Sequence, residues 1–200
     1  MIIIGLTGSI GMGKSTVGSM FVAQGVPLFD ADAEVHVMQA PGGLLVGAIE
    51  GAFPGTTNAN GVDRTALGNR VLDDPVAMAR LEAIVHPAVA AARRDFLERN
   101  AERDMVVLDI PLLFEKGGVA EVDLVVVVSA PEPEQRRRVL SRPGMSEEKF
   151  ENILALQLPD AEKRRMADVV IDTSGPIEAT QEAVNRLVGC LRDHGVRYYR

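Results

Sequence analysis

The sequence predicts an α/β protein built on a parallel, doubly wound sheet, and three observations carry that prediction. Short apolar runs rich in β-branched residues stand at 2–6, 26–29, 105–108, 124–128 and 169–171. They are continuous and not alternating, as expected of strands covered on both faces. Stretches of helical periodicity separate most of them, the pattern of parallel strands joined by helical crossovers. Finally, the first run leads through Gly8-Ser9-Ile10-Gly11-Met12-Gly13-Lys14-Ser15-Thr16 into a helical pattern. That stretch fits the phosphate-cradling pattern Gly-x-x-x-x-Gly-Lys-Ser without mismatch.

Taken in order, residues 2–6 form the first strand, bounded by glycine. A helix over 13–24 follows, with Val17, Met20 and Phe21 at helical spacing and Gly25 as its stop. The second strand, 26–29, delivers Asp30 and Asp32 to its C-terminal end, where open α/β sheets place their chemistry. From 41 to 104 strand-like runs disappear and helix signals recur: a weak helix over 44–53, one over 64–72, and one opened by Asp74-Pro75. That last helix is expected to break or restart at His86-Pro87, before a further helical segment to about residue 102. The third strand, 105–108, ends in Asp109, and 124–128 is the fourth. A helix over 133–141 carries Arg136, Arg137 and Arg138, with Arg142 beside Pro143-Gly144. Ser146 opens a helix reaching about residue 158. The last strand, 169–171, is followed by a helix over 176–193 with Ile177, Val184, Leu187, Val188 and Leu191 inward. The expected organisation is one domain: a core of 1–40, 105–130 and 168–200, a helical substrate-binding insertion at 41–104, and a lid at 131–167.

Composition narrows the class. Two hundred residues, 46% hydrophobic and 24% charged, make a folding globular chain with room for a substantial core. A formal charge of −7 argues against non-specific nucleic-acid binding, which needs an excess of Lys and Arg. The single cysteine, Cys190, excludes an intrachain disulfide, fits a reducing compartment, and sits in an amphipathic pattern that predicts helix packing. No apolar run approaches the ~18 residues of a membrane helix. The N-terminal apolar run lacks a basic flank and reads as a strand instead of a signal peptide, so the expected location is cytoplasmic.

The glycine-rich loop implies nucleoside triphosphate binding. Glycines let successive N–H groups turn toward a phosphate, and the helix that follows adds its positive dipole end. Gly8, Gly11, Met12, Gly13 and Thr16 are the cradle, Lys14 would reach the β- and γ-phosphates of ATP, and Ser15 would ligate Mg2+. No Asn-Lys-x-Asp stretch is present for guanine, and a motor would need a larger chain. A carboxylate near the loop, late arginines and a helical insertion are instead the parts of a small-molecule kinase. Asp30 or Asp32 could accept the proton of an acceptor hydroxyl, or both could merely end a strand and cap a helix. Asp109 is an alternative carboxylate for magnesium. Neighbours on a helix differ by about 100°, so Arg136, Arg137 and Arg138 cannot all serve one site. Arg138 and Arg142 share a face and suit a clamp on triphosphate oxygens, within a lid hinged at Pro143-Gly144.

The whole chain resembles the dephospho-coenzyme A kinase family. The resemblance rests on Gly5 to Thr16, Asp30-Ala31-Asp32, His86-Pro87, Asp109-Ile110-Pro111-Leu112-Leu113-Phe114-Glu115, Gln135-x-x-Arg138-x-x-x-Arg142, Gln157 and Ala167-Asp168. It implies the fold of a P-loop kinase with a helical substrate domain and an arginine lid. The reaction it implies is phosphorylation by ATP of the ribose 3′-hydroxyl of dephospho-coenzyme A, the final step of coenzyme A biosynthesis. It also implies Asp32 as the base beside catalytic Lys14 and Arg138, with Arg142 over ATP and His86, Leu112, Leu113, Phe114 and Glu115 lining the acceptor site. The expected partners are small molecules, without nucleic acid or membrane, and the expected state is a monomer or weak homo-oligomer. Two departures stand out: Asp172-Thr173-Ser174-Gly175 where the family often carries Asp-Asn-x-Gly, which puts an asparagine contact to adenine in doubt, and Val71-Leu72 where valine-phenylalanine is common, which suggests repacking in the insertion. Rival readings are another small P-loop kinase and a nucleotide-binding regulator without catalysis.

Overall fold

The computed structural model describes residues 1–199. The chain begins with β1 (Ile2–Thr7), α1 (Lys14–Ala23), β2 (Leu28–Asp30), α2 (Ala31–Gln39) and α3 (Val46–Ala52). A hairpin of β3 (Thr57–Asn58) and β4 (Gly61–Val62) precedes α4 (Arg64–Val71) and the long α5 (Pro75–Arg99). The remainder runs β5 (Met105–Asp109), β6 (Leu124–Ser129), α6 (Glu132–Leu140), α7 (Glu147–Ala155), α8 (Asp160–Met166), β7 (Val169–Asp172) and α9 (Ile177–His194).

Contacts group the chain into two units: Met1–Phe29 with the chain from Asn100 onward, and Asp30–Arg99. The first holds a five-stranded sheet in the order β2-β5-β1-β6-β7. The β5–β1, β1–β6 and β6–β7 pairs run parallel, with Ile4 opposite both Val107 and Leu124. The continuous apolar runs are explained by burial on both faces. Ile4, Leu6, Val107, Val126 and Val128 pack with Val17, Phe21, Val184, Leu187 and Leu191. Val125 and Val127 point the other way, into a smaller cluster with Leu113. β1 is thus central, and the loop that follows it is fixed at its root on both sides.

The second unit is helical apart from the β3–β4 hairpin, which the sequence reading leaves out because two-residue strands show no alternation. Its core joins Met38 of α2 to Leu45, Ile49, Phe53, Leu67 and Val71. α2 itself lies beyond the second strand of the sequence reading; Asp30 caps it, and Asp32 and Glu34 complement its N-terminal dipole.

Three expectations are corrected. The break at His86-Pro87 does not occur, and α5 continues through Pro87. The carbonyl that proline leaves without an N–H partner is that of Ala83, and both residues are exposed, so water can satisfy it. Packing of Met78, Leu81 and Val85 before the proline and Ala88 and Ala92 after it holds the helix on both sides. Leu72 is 73% exposed, so its departure from the family pattern calls for no repacking of the core. Ile177 is 57% exposed and not inward. It opens α9, and Thr180, Val184, Leu187, Val188 and Leu191 make the buried stripe.

Candidate active site

The loop between β1 and α1 takes its shape from two glycines in particular. Gly13 has φ 93°, a left-handed conformation that side-chain-bearing residues rarely adopt. At Gly8 a Cβ would fall 2.6 Å from the Val128 carbonyl oxygen, so only glycine lets β1 and β6 close around the start of the loop. Met12 N–H donates to Ser9 O at 3.1 Å and closes the turn. α1 begins with no side-chain cap and no acidic residue in its first turn, so its positive end and first amides remain available to an anion. Ser15 and Thr16 are exposed in that turn.

Side chains from later elements hold the loop. Gln135 Nε2 donates to Ile10 O at 2.8 Å, and Ile10 N–H donates to Gln157 Oε1 at 3.1 Å, so the two peptide groups flanking the Ile10 Cα are each held by a glutamine. The Thr173 hydroxyl donates to Met12 O at 2.7 Å. It also accepts from an Arg138 guanidinium nitrogen at 3.0 Å, while a second nitrogen donates to Thr173 O at 2.6 Å.

Two cations of the site, Lys14 and Arg138, are paired with carboxylates. Lys14 Nζ forms an ion pair with Asp109, whose carboxylate ends β5 and is only 4% exposed. Arg138 Nε donates to Glu134 Oε1 at 2.7 Å. The Arg137 hydrogen bond, then that of Arg138, holds the Glu134 carboxyl below the ordinary range. Of the arginine run, Arg138 and Arg142 line a cleft of about 330 Å3 with Gly11, Gly13, Thr16 and Thr173. Arg136 turns instead to Glu147 and Glu151 and lies over the Phe150 ring, tying α6 to α7. Met20 and the exposed Ile177 are the larger apolar side chains lining the cleft.

Asp30 and Asp32 differ in their surroundings. Asp30 Oδ1 accepts from Ala33 N–H at 2.9 Å as the α2 cap, and Asp32 is exposed in the first turn of that helix. His86 is exposed on α5. The 112–115 segment is mixed. Leu112 and Phe114 are half-buried, whereas Leu113 is 0% exposed against Val125 and Val127. The Leu113 side chain therefore presents no surface and anchors the segment. Glu115 faces the chain's own polar groups: Oε1 accepts from Leu158 N–H at 2.8 Å and lies 2.9 Å from Lys163 Nζ. Partial burial pushes its carboxyl up, but the Leu158 amide and Lys163 outweigh it and hold the group below the usual range.

Among the described residues no group of three or more His, Cys, Asp or Glu is gathered to hold a metal. Cys190 packs near Tyr199, whose phenol burial and then the cysteine push up to about 12. The sequence assigns no site role to Thr173 or Lys163 and expects Ile177 in the core, and Gln135 and Gln157 enter only as parts of a resemblance. The spacing of the two glutamines on α6 and after α7 carries no signal by itself, because their shared partner is the backbone of one residue.

Comparison with known proteins places the chain. A family model described as dephospho-CoA kinase matches residues 2–179. A dephospho-CoA kinase of Novosphingobium aromaticivorans is 56% identical over 195 residues, covering 98% of this chain and 97% of that protein. One from Mesorhizobium japonicum is 53% identical, covering 96% and 98%. A crystal structure of a Thermus thermophilus protein superposes with a TM-score of 0.81 at 36% identity, covering 95% and 97% of the two chains. Dephospho-CoA kinase from Campylobacter jejuni shares the fold at a TM-score of 0.66 and 22% identity, over 94% and 95%.

Proposed function

The chain belongs to the dephospho-coenzyme A kinase family, and on that premise we propose that it transfers the γ-phosphoryl group of ATP to the ribose 3′-hydroxyl of dephospho-coenzyme A. The observation that carries this reading is the cleft where the phosphate loop, Arg138 and Arg142 meet. Its loop amides and cations suit the triphosphate, and Met20 and Ile177 suit a base.

The acceptor oxygen attacks the γ-phosphorus, the bond to the β–γ bridging oxygen breaks, and ADP leaves with the electron pair. Asp32 takes the proton of the hydroxyl; Asp30 is less suited, being occupied as a cap. Lys14 and Arg138 exchange their carboxylate partners for phosphate oxygens and neutralise charge as it shifts to the leaving group. Magnesium fits this donor set as an ion brought by the phosphates, with Ser15 as its protein ligand, since no carboxylate cage is present among the described residues. When bound it neutralises β- and γ-oxygens. His86, Leu112, Phe114 and the residues of 30–99 belong to the acceptor side in this reading, and 131–167 is the lid. The protein is a cytoplasmic monomer or weak homo-oligomer.

Kinetics of Asp32→Asn and Lys14→Ala test the assignment. Asp32→Asn is expected to keep ATP binding and to lower kcat at least ~100-fold. Lys14→Ala is expected to weaken ATP binding and turnover together. Unchanged turnover in Asp32→Asn removes that residue as the base, and turnover of the unmodified protein only with adenosine, AMP or shikimate rejects dephospho-coenzyme A as the acceptor.

A further inference from the structure

Lys163 is the most deeply buried charge in the molecule's described residues and has no part in the chemistry above. Its side chain is 0% exposed at the head of Lys163-Arg164-Arg165, a run that reads as a solvated helix end. Desolvating an ammonium is costly unless an opposite charge compensates it. The compensation here comes from Glu115, 2.9 Å away. Lys163 Nζ makes no hydrogen bond of ordinary geometry among the described residues, so the Glu115 charge is what holds it.

The same Glu115 oxygen accepts the Leu158 N–H. Leu158 follows Gln157, whose side chain accepts the Ile10 N–H of the phosphate loop at 3.1 Å. From the other side Gln135 binds Ile10 O at 2.8 Å. An unbroken series therefore runs from a buried ammonium through a carboxylate, a backbone amide and a glutamine to the loop. The carboxyl of Glu115 lies below its ordinary range, so it is charged, as this role requires, at neutral pH.

We propose that Lys163 and Glu115 are positioning residues for the ATP loop: the pair fixes Leu158, and through Gln157 the Ile10 peptide, in the arrangement that receives the triphosphate. Glu115 is thereby reassigned from the acceptor side to the donor side. The proposal rests on the reading of this loop as the ATP site.

The test compares Lys163→Met, Glu115→Gln and Gln157→Leu with the unmodified protein, measuring ATP Kd, kcat, and KM for dephospho-coenzyme A. Amide exchange at Ile10 is followed in parallel. Loss of one loop contact is expected to raise the ATP Kd about tenfold in each variant, with the acceptor KM unchanged. Ile10 exchange should accelerate in all three, most in Gln157→Leu. A purely structural role would lower the melting temperature while leaving ATP affinity below it intact, and that result overturns the proposal. So does a Glu115→Gln variant in which only the acceptor KM rises. Gln157→Leu removes no buried charge and decides the matter if Lys163→Met does not fold: wild-type ATP affinity and Ile10 exchange there refute the coupling. Absence of saturable ATP binding in the unmodified protein would instead overturn the reading of the loop, and the proposal with it.

Discussion

Two positions separate Asp30 from Asp32, and the backbone decides which carboxylate is available. Asp30 is committed to the Ala33 amide. Replacing Asp30 by Ala should cost about 1 kcal/mol of stability, the usual loss of a helix cap, with turnover largely retained; a denaturation curve and a kcat on the same preparation check both. Arg138 has the opposite profile, since its nitrogens bind Thr173 and Glu134 on the rim of the cleft. For Arg138→Ala we expect kcat to fall on the order of 100-fold, by more than the ATP KM rises. The reverse pattern in steady-state kinetics would make Arg138 a binding group only. At this scale the sequence yields expectations where chemistry restricts residue type, as at Lys14 and Ser15, whereas the choice of Asp32 over Asp30 comes only from the family resemblance. The sequence is silent on Lys163, because a lysine between charged neighbours looks the same whether it meets water or a buried carboxylate.

Elements were legible in proportion to the length and purity of their pattern. β1, β5 and β6 are continuous apolar runs, and the structure places them side by side at the middle of the sheet. The seven-residue α8 escaped because its charged sequence has no apolar face to announce it, and its one deeply buried side chain is a lysine. α5 was misread for a different reason. A proline inside a helix does cost a hydrogen bond, but a solvent-facing carbonyl and packing on either side outweigh that cost. Pro87→Ala should therefore stabilise the protein by roughly 1–3 kcal/mol, visible as a higher denaturant midpoint. A lower midpoint would show that Pro87 is fitted to its surroundings in some way other than backbone tolerance.

Across the whole molecule the perturbed carboxyls point one way. Glu50 is lowered by the Gly55 amide, Asp104 by Arg192, Glu134 by Arg137 and Asp172 by the Ser174 amide, and Glu115 sits low despite its burial. A lowered carboxyl binds its proton less tightly in the folded chain than in the unfolded one. Its stabilisation is therefore complete above the ordinary carboxylate range and is lost as pH falls through that range toward the lowered values. Thermal melts should show stability falling below about pH 4, and a melting temperature that rises on acidification would contradict this. The proposed donor loop is one contiguous stretch of sequence, whereas the side chains that brace it come from positions 135, 157 and 173, brought to it only by folding. The central place of β1 has a consequence for how the enzyme fails. Its hydrogen bonds to β5 and β6 on either side, with Ile4 and Leu6 fully buried, put it among the last segments to exchange their amides, reached only by global opening. The root of the nucleotide loop thus shares the fate of the entire core. On the proposed assignment of ATP to this loop, nucleotide above its Kd would stabilise the core with the logarithm of its concentration, so the substrate would guard its own enzyme against unfolding.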